Sequence, residues 1–396
     1  MQFKGCYIPY RAYWSSPFCR WQGRLAEEHP IKLAAACARR MLDTRGCDPA
    51  ALGSLHLGMS VPQHQSFYGA PWLGALMDAP RLTGPTIAQA CATSARVIAS
   101  AGSAVSLKAS GLELALATDR ISNGPHIYYP KPSGPGGQGV SENWVMDNFN
   151  KDPYAGVAMV QTAENVAARA GISRTAQDEL AVHRYQQYQE SLAGDRAFQR
   201  GYMQPIELRS RAGVQVVDTD EGINETSIEA VRKLNPVLEG GTVTYAAQTH
   251  PADGNAGMLI GSLERTRDVS DNSSITIELL SYGEARVEKA HMGMAPVPAA
   301  QAALNTAGIS IAELAVIKTH NPFAVNDLYF AQETGYDPRK MNNFGSSLVF
   351  GHPQGPTGMR LVIEMIEELV RLGGGYGLFT GCAAGDTGAA ITVKVT

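Results

Sequence analysis

Four residues have types and settings that could do chemistry together. Cys91 sits in Pro85-Thr86-Ile87-Ala88-Gln89-Ala90-Cys91-Ala92-Thr93-Ser94-Ala95-Arg96, where a short apolar run ends and small residues open a helix-forming segment through Lys108. A thiol at the first turn of a helix meets unpaired backbone N–H groups and the positive end of the macrodipole. That setting lowers a cysteine pKa and predicts a resting thiolate nucleophile. Taken alone, such a cysteine is more often an inert buried hydrophobe. Three further segments shift the balance: Thr319-His320-Asn321-Pro322-Phe323-Ala324, Gly351-His352-Pro353-Gln354-Gly355 and Gly381-Cys382-Ala383-Ala384-Gly385. Each places its reactive residue at a strand or helix edge. A cysteine nucleophile needs a base, donors for a developing oxyanion and a second acid or base for the other fragment. Cys91, His320, His352 and Cys382 offer one candidate for each task. Zinc is the rival use of the same residue types, but the paired ligand spacing of a structural site is absent, so no metal is expected. His29, His56 and His183 read as structural groups. There is no P-loop and no G-x-S-x-G.

The elements that must carry these residues alternate between helix and strand. Ile31 to Leu42 predicts an amphipathic helix, and Leu52 to Ser60 a strand. A helix over Ala92 to Lys108, Gly111 and a buried strand over Leu112 to Thr118 surround Cys91. Later, a helix over Thr357 to Leu372, Gly373 and a strand over Tyr376 to Thr380 repeat that order and end at Cys382. This self-similarity predicts a duplicated α/β unit whose halves bring their loops together. Any α/β protein shows some of it. Between the copies, residues 119–240 change character. Ile121 to Gln138 is rich in proline and glycine and reads as loop. Thr162 to Arg169 and Thr175 to Ser191 predict helices, and Ile206 to Glu207 and Val214 to Val217 short extended pieces. The stretch as a whole reads as an inserted, α-rich subdomain. Tyr7 to Pro9, Thr242 to Thr244, Ala256 to Ser262, Ile275 to Tyr282, Ala315 to Thr319 and Ala389 to Val395 predict further extended segments, and Pro298 to Thr306 a helix.

The totals exclude several classes. The chain has 396 residues, 33 basic against 37 acidic and a net charge of −4. Without a basic stripe, nucleic-acid binding is not expected. Charged residues are 18 % of the chain, against about 25 % in a typical domain, which points to surface hidden in an oligomer. Six cysteines with no C-x-x-C pair fit a reduced, cytoplasmic compartment. No signal-like N-terminus is present, and no apolar run approaches the ~20 residues of a membrane helix.

Several ordered motifs resemble those of the thiolases, enzymes that make or break a carbon–carbon bond beside an acyl-CoA thioester. Gln89-Ala90-Cys91-Ala92-Thr93-Ser94-Ala95 is similar to that family's nucleophile segment, and Thr162-Ala163-Glu164-Asn165-Val166-Ala167 to the start of its loop-domain helix. Gly241-Thr242-Val243-Thr244 through Asp253-Gly254 resembles its pantetheine-side strand. Met292-Gly293-Met294-Ala295-Pro296-Val297-Pro298-Ala299 and Asn342 through Gly351-His352-Pro353 to Gly358 resemble its most specific signatures.

The resemblance implies a duplicated five-layer α/β/α/β/α fold with an inserted α-rich loop domain. Residues 1–118 would form the N-terminal half, completed by 241–269, with the loop domain at 119–240 and the C-terminal half at 270–396. It implies thiolytic cleavage of a 3-ketoacyl-CoA, with Cys91 as acyl-accepting nucleophile, His352 as its activator and Cys382 as acid/base. His320 and His352 would build one oxyanion hole, and the backbone N–H groups of Cys91 and Ala384 the other. Coenzyme A would be co-substrate, with Met159, Leu234, Thr249, Met292 and Phe323 along its pantetheine. The resemblance also implies a homodimer or homotetramer.

There are departures. The common pattern has Asn followed by Glu where this chain has His320 and Asn321, and the histidine resembles sterol-carrier-type and archaeal thiolases. Ala384 replaces a glycine-like position, Ala158 stands where a histidine often lies near pantetheine, and a basic residue near Ile223 and Asn224 is missing. Two alternatives follow: a Claisen-condensing synthase, and an acyl-CoA-binding subunit that works with a small OB-fold/zinc-ribbon partner. Tyr7, Tyr10, Tyr13, Trp14, Phe18, Trp21, Phe67, Tyr68, Trp72, Tyr128 and Tyr129 form an aromatic excess that suits a subunit interface or a bulky acyl pocket.

Overall fold

The computed structural model describes residues 1–211 and 213–396. Strands rich in Leu, Ala and Val are buried on both faces, as Leu112–Arg120 is over almost its whole length, so helices must cover both sides of each sheet. The first sheet contains β1 (Tyr13–Ser15), β2 (Leu55–Gly58), β3 (Thr86–Ile87), β4 (Leu112–Arg120) and β5 (Ala252–Gly261). Their order is β1-β5-β4-β2-β3, with the two-residue strand Cys19–Arg20 also paired to β5. The second sheet contains β6 (Ile277–Arg286), β7 (Leu314–His320), β8 (Gly375–Ala383) and β9 (Thr387–Val395), in the order β6-β9-β8-β7. In both sheets the strand after a central helix pairs parallel with an earlier strand and antiparallel with a later one: β4 with β2 and β5, β8 with β7 and β9. The duplication read from the sequence is therefore a duplication of strand pairing.

The helices that set the layers are α1 (Pro30–Thr44), α2 (Thr93–Ser106), α3 (Met159–Ala170), α4 (Arg174–Ser191), α5 (Pro296–Ala307), α6 (Ala324–Thr334) and α7 (Gly355–Arg371). α2 and α7 pack on each other and on both sheets, α1 covers the outer face of the first sheet and α5 that of the second. This is a five-layer α/β/α/β/α fold. Every residue of α7 from Gly355 to Leu369 is buried, including Arg360, Glu364, Glu367 and Glu368. A charged helix can occupy the middle layer only if its charges are paired. The Arg360 guanidinium donates to Asp220 at 2.7 and 2.8 Å and to Glu364 at 3.0 Å, with the Phe350 ring 3.9 Å away.

Several local expectations give way. Thr242 to Thr244 forms no strand; Thr244 makes one isolated bridge with Pro236. Its backbone donors go elsewhere, because the Glu164 carboxylate accepts from Thr242 N, Val243 N and Thr242 Oγ1 at 2.8–2.9 Å. Tyr7 likewise makes only isolated bridges, one to Gly261 and one to Glu278, and so links the two sheets. The region read as loop contains a hairpin, His126–Tyr129 against Val140–Asn143, turned through Gly136 and Gly137 at φ +66° and +68°. The two short extended pieces beyond it pair as a second hairpin. Among the described residues, no helix is long and apolar enough to cross a membrane.

Replacing Arg360 by Leu strands two buried carboxylates. Losing one partner of a buried ion pair costs about 3–5 kcal/mol, so chemical denaturation should show a loss of that order. A change below about 1 kcal/mol would remove Arg360 as a fixing point of the middle layer.

Candidate active site

The strand ends and helix starts of the two halves meet around Cys91. Cys91 lies in a 3₁₀ turn, Ala90–Ala92, immediately before α2. Two non-glycine residues with positive φ flank the thiol: Ala90 at +44° and Gln354 at +62°. Such conformations cost about 1–3 kcal/mol each and persist where the surroundings over-determine them. The Cys91 thiol donates to Gln354 Oε1 at 3.3 Å, and the backbone N–H groups of Ala384 and Cys91 itself also point at its sulfur. Burial outweighs those donors and pushes the thiol up to about 11. The resting thiolate expected at a helix start is thus corrected to a neutral thiol, because desolvation exceeds what two N–H groups return.

His320 is the last residue of β7 and pairs with Gly381 of β8. A Cβ at position 381 would come 2.7 Å from His320 Cβ, so the close approach requires glycine there. His320 Nδ1 shares a 2.9 Å hydrogen bond with Ser347 Oγ. His352, in the loop before α7, shares one of 2.6 Å with Thr357 Oγ1. The two rings stack obliquely with centroids 4.1 Å apart. Both Nε2 atoms are buried without a hydrogen-bond partner among the described residues, and one nitrogen of each ring lies within 4.8 Å of the other and of Cys91 Sγ. Burial keeps both imidazoles neutral: His320 is lowered to about 3 and His352 well below its ordinary value, the latter also through His320.

Cys382 completes the cluster at the end of β8. Its sulfur accepts from Asn326 Nδ2 at 3.1 Å. Burial first, then the facing Cys91, holds its thiol well above the usual range.

Buried carboxylates anchor the loops. Asp119, at the end of β4, accepts from Ser60 N, Ser60 Oγ, Val61 N and Gly355 N at 2.7–2.9 Å. It therefore ties the start of α7, three residues beyond His352, to the first sheet. Burial raises Asp119 to about 7 despite those donors. Asp327 of α6 accepts from Arg184 Nη2 at 2.8 Å, Asn321 Nδ2 at 2.7 Å and Asn342 Nδ2 at 3.1 Å. Asn321 Oδ1 in turn accepts from Ser347 Oγ and Leu348 N at 3.2 Å, so α4 of the insertion reaches the His320 ring through four side chains. None of Asp119, Asn326, Asp327, Ser347, Thr357 and Gln354 was singled out from the sequence. The only available signal was polarity inside or beside the motifs already marked.

The expected coenzyme residues divide into two groups. Met159, Met292 and Phe323 share one apolar cluster with Cys382 and Leu348. Leu234 instead lines a cleft together with Tyr245, Gln248, His250 and Leu348. Thr249 is adjacent; its N–H donates to Pro322 O at 2.7 Å and its hydroxyl to Ser347 O. Leu348 belongs to both groups, so the cleft backs onto the cluster beside Cys382. A cleft lined mostly by apolar side chains with a few polar groups suits a flexible ligand arm.

Comparison with known proteins identifies an acyltransferase. The chain belongs to the thiolase family: the thiolase N-terminal domain matches residues 13–264 and the thiolase C-terminal domain residues 274–395. It is 31% identical over 323 residues to the beta-ketothiolase BktB of Cupriavidus necator, across 80% of this chain and 79% of that protein. It is 28% identical to the acetyl-CoA acetyltransferase of Paracoccus denitrificans, across 96% of this chain and 97% of that protein. Among solved structures, human mitochondrial 3-ketoacyl-CoA thiolase in complex with CoA superposes with a TM-score of 0.91 at 25% identity, covering 100% of this chain and 99% of that one.

A thiol pushed up to about 11 exposes its reactive anion only as pH rises toward that value. Alkylation of Cys91 by iodoacetamide should therefore accelerate about tenfold per pH unit from 7 to 10. A plateau reached by pH 8 would show a thiolate already formed and reinstate the expectation from the sequence.

Proposed function

We propose that the chain catalyses thiolytic cleavage of a 3-ketoacyl-CoA to acetyl-CoA, or another acyl-CoA, and a shortened acyl-CoA through an acyl-enzyme on Cys91. The observation that carries this reading is the convergence of both imidazoles on the Cys91 thiol, a nitrogen of each within 4.8 Å of it, with both Nε2 atoms unpartnered among the described residues. His352 takes the thiol proton as sulfur attacks the 3-keto carbon; its Nδ1–H donates to Thr357 Oγ1, leaving Nε2 free to accept. The backbone N–H groups of Cys91 and Ala384 receive the oxyanion formed at that carbon. Carbon–carbon cleavage then leaves an enolate of acetyl-CoA, whose oxygen sits at His320 and His352 and whose carbon is protonated by Cys382. The Cys382 thiolate then takes the proton of the CoA thiol, the CoA sulfur takes the acyl group from Cys91, and the released Cys91 thiolate recovers its proton from His352. A thioester intermediate divides one difficult cleavage into two steps, and two oxyanions at different places require two donor sets.

Met159, Met292 and Phe323 would hold the pantetheine near Cys382, with Leu234 and Thr249 further along the cleft. Residues 119–240 act as the loop domain that presents this cleft between the halves 1–118 plus 241–269 and 270–396. The condensing direction uses the same residues.

Thiolysis of a panel of 3-ketoacyl-CoAs with short, long and aryl acyl groups tests the reading. Cys91→Ala should remove activity on all of them, and His352→Ala should lower kcat/KM by about 10²–10⁴, the usual contribution of a general base. Retained thiolysis in Cys91→Ala would overturn the assignment. The wild-type panel fixes the acyl group: a strong preference for acetoacetyl-CoA would exclude a bulky pocket.

A further inference from the structure

We propose that Cys91 Sγ, His320 Nε2 and His352 Nε2 form a binding site for a borderline-soft divalent cation, Zn²⁺ being the type, which caps the nucleophile and reversibly switches the enzyme off. The sequence spacing argued against a metal because no two ligands are neighbours in the chain. The fold removes that objection by bringing the Cys91 sulfur and a nitrogen of each histidine, from the start of α2, the end of β7 and the loop before α7, to within 4.8 Å of one another.

Three features suit this use. Both Nε2 atoms are buried and have no hydrogen-bond partner, so no bond within the protein must break to free them. Each ring is held by its other nitrogen, His320 by Ser347 at 2.9 Å and His352 by Thr357 at 2.6 Å, the second contact that fixes tautomer and orientation in metal-binding histidines. The donor set is mixed thiolate and imidazole, three protein ligands with a fourth position left for water, the composition of an open tetrahedral zinc site. Zn–S of about 2.3 Å and Zn–N of about 2.0–2.1 Å place the donors closer together than the 4.8 Å limit, so the side chains draw inward on binding.

The hydroxyl of Ser347 decides which state His320 takes. When it donates to Asn321 Oδ1, as at 3.2 Å here, His320 Nδ1–H donates to it and Nε2 presents a bare lone pair, ready for a cation. When it turns to donate to Nδ1, Nε2 carries the proton and becomes the oxyanion donor of the reaction. Asn321 Oδ1 keeps its Leu348 N–H partner at 3.2 Å either way, so the rotation strands no acceptor.

The proton balance is simple. The Cys91 S–H, now donated to Gln354 Oε1 at 3.3 Å, breaks; its proton goes to solvent as the S–metal bond forms. The neutral imidazoles release none.

Binding of the cation stands apart from the proposed thiolysis, whereas the loss of activity on binding rests on it. The test begins with protein treated with a chelator and freed of it, titrated with Co²⁺ as a spectroscopic probe and then with Zn²⁺. The expected result is one equivalent bound, with tetrahedral visible bands and a near-ultraviolet sulfur-to-cobalt charge-transfer band that Cys91→Ala lacks. His320→Asn should weaken binding at least about tenfold with circular dichroism unchanged, and Zn²⁺ should block thiolysis until a chelator restores it. A cobalt spectrum with no sulfur band, or equal affinity in wild type and both variants, would overturn the site. Metal-free enzyme that shows no thiolysis, while the cobalt band is present, would count against the proposed reaction and leave the metal site standing.

Discussion

Two imidazole nitrogens lie buried beside a thiol, with no protein group to bond to among the described residues. A buried polar atom without a partner costs about 1–3 kcal/mol, and the site keeps two of them together, His320 Nε2 and His352 Nε2. Such a cluster stays open only if every other polar atom around it is fixed. Ser347 and Thr357 hold the two rings from behind. Asn321 is fixed by Asp327, and Asp327 by Arg184, an ion pair with both side chains buried. Asp119 fixes the start of α7 through Gly355 N. Much of the local architecture keeps those two nitrogens from finding partners within the protein, as the proposed reaction requires.

The same dryness sets the chemistry. Desolvation pushes thiols up and imidazoles down, so all four reactive groups rest neutral and the site stores no charge. In the proposed reaction charge would arise only as bonds change, where the N–H groups of Cys91 and Ala384 would meet it in a medium that screens little. The duplicated fold makes this geometry economical. Cys91, in the turn before α2 of the first half, and Cys382, near the end of β8 in the second, face each other where the halves meet. α7 lies between the sheets and delivers His352 to that seam from its buried start.

Much of this was legible in the chain. The order helix, glycine, buried strand predicted the repeat because strands buried on both faces read as unbroken apolar runs. The four reactive residues stood out because each sits among glycines or small residues at an element edge. What failed did so where a side chain overrode a local pattern. Glu164 captures the donors of Thr242 and Val243 from 78 residues away, a partnership with no trace in local periodicity. Cys91 looked acidic because its position before a helix is visible in sequence, whereas the burial that reverses the effect is tertiary. Asp119 and Asp327 are illegible in the chain for the same reason: a buried carboxylate is recognised by what surrounds it, and its donors come from two segments for Asp119 and three for Asp327.

The central claim is that one sulfur among six cysteines carries the acyl group. Incubating the protein with acetoacetyl-CoA in the absence of free CoA, quenching in acid and mapping acetylated peptides by mass spectrometry tests it directly. A single acetyl group on the peptide containing Cys91, discharged when CoA is added before the quench, is the result the structure predicts. Acetylation confined to Cys382 or another residue, or none in protein that still turns over substrate, would contradict it.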